Sequence, residues 1–419
     1  MKKIYLSISI LTLMIQFAQA QFTLDGEFRP RTEYRNGYGD IIADGADAGF
    51  GTSTRLRLNT GYTAEGYQLY VSLQDVMTWG ENRQLLPADT NNSFAVFEAW
   101  ADVKLGSGWS TKLGRQMINY DDERILGPVG WTQQARNHDV AIIKYKNDKF
   151  MLDFGLAFNQ DKSDFSGFSS VGTAYTTAGF FSYKAMQYVY LKQQWDNFSA
   201  SFLALNNTFQ DLVSGASAGT VSSLLTAGSH LEYYKGGFGF KGNLFIQTGE
   251  RQNEVDVNGA YLAGLDLSIK ASSKVELGLG TEITSGKKDN SAAFFPLYGT
   301  NHKFNGFMDY FYVGNHINSV GLVDIHASVN FKLSEKSDIL VKALNFSGAE
   351  ALPSGDKSLG TELDLVFSTK LKGAGLSVGY SQMFANDGMY ELKGTTKAAS
   401  ADGQNWAWAM LTIKPKFLN

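Results

Sequence analysis

The stretch FRPRTEYR, residues 28–35, carries a charge at every second position: Arg29, Arg31, Glu33 and Arg35. Successive side chains of a β-strand point to opposite faces, so these four charges form one row. The residues between them are uncharged and form the other row. The stretch therefore predicts a strand with one charged and one uncharged face, and what surrounds the charged face decides the fold.

The same period of two recurs along the chain, for example in TRLRLNTGY (54–62), VDIHASVNF (323–331) and TELDLVFSTKL (361–371). Alternation of polar and apolar residues is typical of strands with one apolar face, and it predicts about eighteen of them here. The predicted strands are 22–36, 51–65, 67–80, 93–106, 109–121, 138–147, 149–160, 184–196, 198–210, 222–235, 237–249, 257–271, 274–285, 321–334, 337–347, 358–372, 375–386 and 405–419.

The connections between these strands alternate in length. Tight turns such as EGY, GSGW and NDK alternate with longer loops near 37–50, 81–92, 122–137, 161–183, 211–221, 250–256, 286–320, 348–357 and 387–404. Short periplasmic turns and longer outer loops are the signature of an outer-membrane barrel, whose apolar face meets lipid and whose polar face lines the lumen. We predict an all-β fold, a transmembrane antiparallel up-and-down barrel in the outer membrane of a Gram-negative bacterium, with a water-filled pore behind its charged row.

Both ends of the chain agree with this compartment. Two lysines, an apolar stretch and Ala18-Gln19-Ala20 predict a signal peptide over 1–20, cleaved before a single barrel domain over 21–419. The last strand ends with Phe417, similar to the near-terminal aromatic by which barrel-assembly machinery recognises its clients. The absence of cysteine rules out disulfides, and a net charge of −4 does not suggest a nucleic-acid partner.

Several stretches resemble the alginate-export family in its Bacteroidetes form. They are FRPRTEYRNGY (28–38), STRLRLNTGY (53–62), FEAWADVKL (97–105), KLGRQMINYDDERILG (112–127), WTQQARNHD (131–139) and FFPLYGTNHKFNGFMDYF (294–311). The resemblance implies an eighteen-stranded outer-membrane barrel, a secretion channel for an anionic polysaccharide, an Arg-rich constriction and loops over the pore mouths. It also favours a monomer.

The candidate pore-lining and substrate-binding residues are Arg29, Arg31, Glu33, Arg35, Arg55, Arg57, Glu98, Asp102, Arg115, Arg136, Glu362 and Asp364. The planar guanidinium pairs with a carboxylate through two hydrogen bonds, which suits a polyuronate. The alternative is that the arginines pair with acids on neighbouring strands and only hold the barrel's shape. The parity of the strand around Arg115 is ambiguous, and we place Arg115 inward on the family resemblance alone.

Two loops offer further possibilities. Asp121, Asp122 and Glu123 supply carboxylates that Ca²⁺ could use, but their spacing favours a solvated or Arg-paired acidic turn, so no cofactor is expected. The loop 286–320 is too apolar for a free outer loop. It either folds into the mouth and narrows the pore or packs on its neighbours.

The function that these features predict is an outer-membrane channel for an anionic polysaccharide or its oligomers. The first alternative is a general porin for small hydrophilic solutes, and the second is an adhesin or structural barrel with a plugged lumen. The five histidines form no recognisable catalytic or metal motif, so we do not expect an enzyme. The predicted partners are outer-membrane lipid, the assembly machinery and the solute.

Overall fold

A computed structural model describes residues 21–82, 84, 93–159 and 183–418. Its strands are β1 (Gln21–Asn36), β2 (Gly49–Thr63), β3 (Tyr67–Thr78), β4 (Ala95–Gly106), β5 (Trp109–Gln116), β6 (His138–Lys146), β7 (Phe150–Phe158), β8 (Ala185–Gln194), β9 (Phe198–Val213) and β10 (Ala216–Lys235). They continue with β11 (Phe238–Arg251), β12 (Val255–Lys270), β13 (Val275–Thr284), β14 (Leu322–Lys332), β15 (Ser337–Ser347), β16 (Ser358–Leu371), β17 (Ala374–Ala385), β18 (Gln404–Thr412) and β19 (Lys416–Leu418). The predicted signal peptide lies outside the described residues.

The strands form one closed antiparallel barrel. Each strand pairs with the next along the chain, and β1 closes the sheet by pairing with β2 on one side and with β18 and β19 on the other. β18 and β19 are two parts of a single closing strand, interrupted at Pro415, which cannot donate to the ladder. The barrel therefore has eighteen strands, which confirms the predicted number.

The period of two separates an outer and an inner face. In β2, Leu56 and Leu58 are exposed on the outer surface, whereas Arg55, the residue before Leu56, is buried inside. In β18, Trp406 and Trp408 face inward, and their neighbour Ala407 pairs with the exposed Tyr380 of β17 on the outer face. The outer face is thus the apolar one, as a barrel in lipid requires.

Among the connections that the structure describes, all but two match the predicted alternation, and the predicted loops 81–92 and 161–183 lie largely outside the described residues. Residues 211–221 and 250–256, predicted as loops, are largely strand, because β9 and β10 continue to a turn at Ser214-Gly215 and β11 and β12 to a turn at 252–254. Ser214 and Gly215 both have positive φ, which is the geometry of a two-residue hairpin. These hairpins extend the wall beyond the other strands.

Two long connections fold into the lumen. Residues 117–137, between β5 and β6, are called here the Trp131 segment, and residues 285–321, between β13 and β14, the His302 segment. An eighteen-stranded barrel is too wide for wall side chains to fill, so these segments supply the core. Their buried apolar residues join two clusters with the wall, one around Leu126 and Tyr298 and one around Met308 and Tyr310.

Helical structure is sparse. One short helix, α1 (Asp387–Leu392), lies in the connection between β17 and β18, and single 3-10 turns occur at Asn301–Lys303 and Lys397–Ala399. In the part of the chain that the structure describes, no helix has both the length and the apolar character needed to span a membrane.

Candidate functional site

The predicted charged row of β1 lies on the inner face. Arg29 and Arg31 are 6% and 5% exposed, and Arg55, the cross-strand neighbour of Arg29 on β2, is 4% exposed. Their side chains point the same way because the two strands pair in register. We call Arg29, Arg31, Arg35, Arg55 and Arg57 the basic wall.

The Trp131 segment binds the basic wall through its backbone. Arg29 donates from Nη1 to the carbonyl oxygen of Gly130 (2.7 Å) and from Nη2 to that of Thr132 (2.9 Å). Arg31 Nη1 donates to the carbonyl oxygen of Trp131 at 2.7 Å. The segment is not part of the sheet, so its carbonyl groups need partners from elsewhere, and the arginines supply them.

Only part of the basic wall is neutralised by carboxylates. Glu33 accepts from Arg31 and Arg35, each at 3.0 Å, and Glu27 accepts from Arg55 Nε at 2.7 Å. Arg29 and Arg57 instead have neutral partners, the side-chain oxygens of Gln133 and Gln74 respectively. The predicted pairing of arginines with strand acids is therefore present for some of the row and absent for the rest.

The other predicted residues occupy different places. Glu98 is buried on the inner face of β4 and accepts from the backbone N–H of Met117 at 3.1 Å. Asp102 accepts from Lys144 at 2.6 Å. Arg136 lies in the Trp131 segment, donates to the carbonyl oxygen of Gly299 and sits 5.7 Å from the ring of Tyr298. Burial lowers the pKa of this guanidinium.

The prediction that Arg115 faces the lumen is wrong. Arg115 shares its parity in β5 with Leu113, which is exposed on the outer face, and it forms an ion pair with Asp139 at 2.8 Å. The two side chains are 42% and 53% exposed. β5 and β6 pair in regular register here, so no irregularity between them turns Arg115 towards the lumen.

The acidic triplet of the Trp131 segment reaches deep into the barrel. Asp121 accepts from Lys192 at 3.0 Å and Tyr190 at 2.8 Å, and Asp122 accepts from Asn243 at 2.6 Å. Glu123 lies 3.7 Å from Lys303. Asp121 and Asp122 thus take partners from the wall, and Glu123 takes one from the His302 segment. In the described ranges no group of three or more His, Asp or Glu has a metal-binding arrangement.

A buried ion pair that the sequence did not single out anchors the same segment. Arg124 binds both carboxylate oxygens of Glu282 on β13, each at 2.7 Å, and donates to Asn301 at 2.8 Å. Asn305, from the His302 segment, also donates to Glu282. Arg124 therefore ties the two inward segments to each other and to the wall.

Aromatic rings fill the seam between the two segments. The ring of Trp131 stacks on that of His302 with centroids 4.5 Å apart, and Arg31 lies 4.4 Å from the same indole. Trp408 packs edge-on against Trp131 at 4.9 Å. The sequence did contain a sign of this contact. Trp406 and Trp408 are large apolar residues on the inward face of their strand, where polar residues are expected.

Glu362 and Asp364 lie on the inner face of β16 beneath the His302 segment. They are 0% and 1% exposed, so they line the wall but not an open lumen. The backbone N–H of Met308 donates to Glu362 Oε1 at 2.8 Å, and Ser381 donates to Asp364 Oδ1 at 2.5 Å. Glu362 thus holds the His302 segment to this wall by accepting a hydrogen bond from the segment's backbone.

A polar cavity opens below the Trp131 segment, towards the end of the barrel with the short turns. Its volume is about 360 Å³, and Lys112, Lys144 and Lys192 project into it from three different strands, together with Tyr120 and Tyr190. Lys144 and Lys192 pair with Asp102 and Asp121. Lys112 instead lies 3.8 Å from the ring of Trp100.

The sequence matches a known family over most of its length. The family model for alginate export matches residues 21–401. No curated protein sequence matches the chain significantly.

Solved outer-membrane proteins share the fold at low sequence identity. OccK9 (OpdG) of Pseudomonas aeruginosa has a TM-score of 0.63 at 13% identity, covering 94% of this chain and 98% of its own. OccAB4 of Acinetobacter baumannii has a TM-score of 0.62 at 14% identity, with coverages of 95% and 99%. OpdK of P. aeruginosa has a TM-score of 0.62 at 10% identity, with coverages of 94% and 99%. On the strength of the family match and this barrel, the chain belongs to the alginate export family and is an outer-membrane β-barrel.

Proposed function

We propose that the protein is a channel that passes an anionic polysaccharide or its oligomers across the outer membrane. The observation that carries the proposal is the incomplete neutralisation of the basic wall. Among the described residues, its five arginines have two paired carboxylates, Glu27 and Glu33, while the hydrogen-bond acceptors of Arg29 and Arg57 are neutral oxygens. Cations without a counter-charge, on the inner face of a barrel, favour an anionic solute.

The contacts to the Trp131 segment are of a kind that such a solute can replace. Arg29 and Arg31 donate to neutral carbonyl oxygens, whereas a uronate would offer them carboxylate oxygens. Hydrogen bonds between a guanidinium and a carboxylate are roughly twice as strong as neutral ones and often bidentate. We infer that the solute competes with the backbone of residues 130–132 and takes their place when the segment moves.

The lysine-lined cavity supplies a second contact on the route. Lys112, Lys144 and Lys192 face it from three strands, and its tyrosines give flat apolar surfaces of the sort that sugar rings contact. In this proposal an acidic chain on the periplasmic side meets these lysines first and the basic wall afterwards. The protein acts as a monomer, and its histidines have structural roles.

A general porin for small hydrophilic solutes is the alternative. The feature that favours it is the presence of acids on the same inner face, including Glu282, Asp324 and Glu362. Charges of both signs along one lumen would produce a field across the pore without a preference for anions. The two readings therefore differ in selectivity and in their response to acidic oligomers.

The test is a planar-bilayer recording of the refolded barrel in a salt gradient, with oligogalacturonate or neutral maltooligosaccharide added. We expect anion preference and block of the current by the acidic oligomer alone. Arg29→Gln should weaken both, whereas Arg115→Gln, which removes an outward-facing arginine paired with Asp139, should leave both unchanged. Large, weakly selective currents that neither oligomer blocks would refute the proposal and favour the porin.

A further inference from the structure

Glu362 and Asp364 form an unusual pair on the wall of the lumen. They occupy successive inward positions of β16, and their carboxyl groups lie within hydrogen-bonding reach of each other. Glu362 Oε1 and Asp364 Oδ1 have donors, from Met308 and Ser381. The other oxygens, Glu362 Oε2 and Asp364 Oδ2, are buried without a hydrogen-bond partner.

No cation neutralises this pair at close range. In the part of the chain that the structure describes, neither carboxylate has a Lys, Arg or His nitrogen within ion-pair distance. The charged or titratable groups that face it are Lys342 on β15 and His302, Asp309 and Tyr310 of the His302 segment, and β17 contributes only the hydroxyl of Ser381. Two buried carboxylates in contact cannot both stay ionised at small cost, whereas one shared proton satisfies both orphaned oxygens.

The His302 segment is fitted closely onto the pair. Gly306 has a φ of +91°, and a Cβ at this position would lie 2.6 Å from Glu362 Oε2. Two residues later the N–H of Met308 donates to the same side chain, and the Met308 side chain is fully buried. The bound conformation of the segment and the burial of the carboxylates therefore depend on each other.

We propose that Glu362 and Asp364 are a proton-dependent latch that holds the His302 segment inside the lumen. With the shared proton in place, the segment stays docked. When the proton leaves, two adjacent negative charges remain under the segment, and its release lets water reach them. The inference deepens the proposed function, because the segment occupies the lumen, but it does not depend on which solute passes.

The direction of the pH effect follows from proton counting. The docked state binds one proton more than the released state, so docking is favoured at low pH and weakened as the pH rises. Between the pKa of the released pair and that of the docked pair, each pH unit lowers the ratio of docked to released protein about tenfold, and above the docked pKa the ratio no longer changes. The ion pair between Arg124 and Glu282 also holds the segments to the wall and opposes release.

The latch can be tested by thiol labelling, because the chain has no native cysteine. Met308→Cys places a thiol in the buried position while keeping the backbone N–H that Glu362 accepts. Lys303→Cys, at an exposed position of the same segment, measures the ionisation of the thiol itself. We expect the labelling rate of Met308→Cys, divided by that of Lys303→Cys, to rise at least tenfold between about pH 6.5 and about pH 9.5.

Glu362→Gln supplies the matched variant. Its amide oxygen still accepts from Met308, and its NH₂ group donates to Asp364 as the shared proton would, so the ratio should stay low at every pH. Glu276→Gln, which removes a lumenal carboxylate at the short-turn end of β13, should behave as the parent. A pH-independent ratio in the parent, or an unchanged rise in Glu362→Gln, would overturn the latch.

A conductance measurement tests the latch without substituting the buried Met308, whose replacement by cysteine could disturb packing. With the native methionine in place, alkaline pH should increase the open fraction of the parent channel at least several-fold, but not that of Glu362→Gln. An equal increase in both proteins would refute the proposal. Failure of anion preference would leave both latch experiments intact, because neither depends on whether anions or cations carry the current.

Discussion

The two walls of the lumen hold their inward segments by opposite chemistry. The basic wall donates: Arg29 and Arg31 give hydrogen bonds to carbonyl oxygens of the Trp131 segment. The wall of β16 accepts: Glu362 takes the N–H of Met308 from the His302 segment. Guanidinium groups keep their charge at all accessible pH values, whereas a pair of carboxylates does not.

This difference indicates a division of roles. The basic wall is a fixed charge whose partners can be exchanged for an anionic solute, and the acidic pair is a contact whose strength depends on protonation. The two meet at Trp131 and His302, whose rings stack. A change in one wall should therefore alter the segment bound to the other wall, through the contact between Trp131 and His302.

The largest effect should come from Arg124, which lies in the Trp131 segment and binds both the wall residue Glu282 and Asn301 of the His302 segment. Arg124→Gln leaves Glu282 buried without its cation, and removal of one partner of a buried pair costs about 3–5 kcal/mol. Urea unfolding of the barrel in lipid vesicles, followed by tryptophan fluorescence, measures the loss. The double variant with Glu282→Gln should recover much of it, and a loss below about 1 kcal/mol would show that the pair anchors nothing.

Trp131→Ala should disconnect the two walls. It removes a ring that contacts Arg31, His302 and Trp408, and truncation of a partly buried tryptophan should cost about 3 kcal/mol. Hydrogen exchange should then increase in both inward segments, whereas increased exchange only in residues 117–137 would mean that the walls are independent. Trp195→Ala, in a short turn with an exposed indole, is the control.

His316 should give the His302 segment a pH dependence on the acid side. Burial lowers the pKa of this imidazole from 6.5 to about 4, and its Nε2–H donates to the carbonyl oxygen of Gly321 at 2.9 Å. The released segment takes up a proton that the docked one excludes, so docking weakens as pH falls below 6.5.

Protonation of His316 alone should weaken docking by about 2 kcal/mol between neutral pH and pH 5, against the opposite trend of the Glu362–Asp364 pair. His316→Gln, which keeps a donor for Gly321, should remove this acid-side loss but leave the alkaline release that depends on Glu362. Thermal unfolding of the parent and of His316→Gln across this pH range measures the difference in stability. Identical acid-side profiles would assign the loss to another group.

Arg29→Gln should have a smaller effect on stability and a clear effect on selectivity. It removes charge-assisted hydrogen bonds to residues 130–132, worth about 1.5 kcal/mol once the glutamine has taken over part of them. The reversal potential in a salt gradient should shift towards cation permeation. An unchanged potential would mean that the charge of the basic wall is not sensed by the permeating ions.

The smallest effect is expected for Arg115→Gln. Its exposed ion pair with Asp139 points outward at the ends of β5 and β6 next to the long connection, and exposed pairs contribute about 0–1 kcal/mol. Selectivity and conductance should be those of the parent. A shift in the reversal potential similar to that of Arg29→Gln would contradict the outward orientation of Arg115.

Much of the fold could be predicted from local pattern. The alternation in β2 and β18 gave the strand and the face of each residue, and the inward orientation of Arg31 and Arg55 followed from it. The pattern failed where it was ambiguous, at Arg115, and where hairpins were longer than their turn-forming residues suggested, as at Ser214-Gly215.

The sequence by itself determined the strands, their apolar and polar faces and the charge on the inner face, because a period of two is a local property of the chain. Only the tertiary structure decided which groups those charges meet. Arg29 finds the carbonyl of Gly130, and Glu362 finds the N–H of Met308, across sequence separations of 101 and 54 residues. Such contacts exist only once the barrel has closed, since closure creates the interior into which the long segments must fold to bury their apolar side chains.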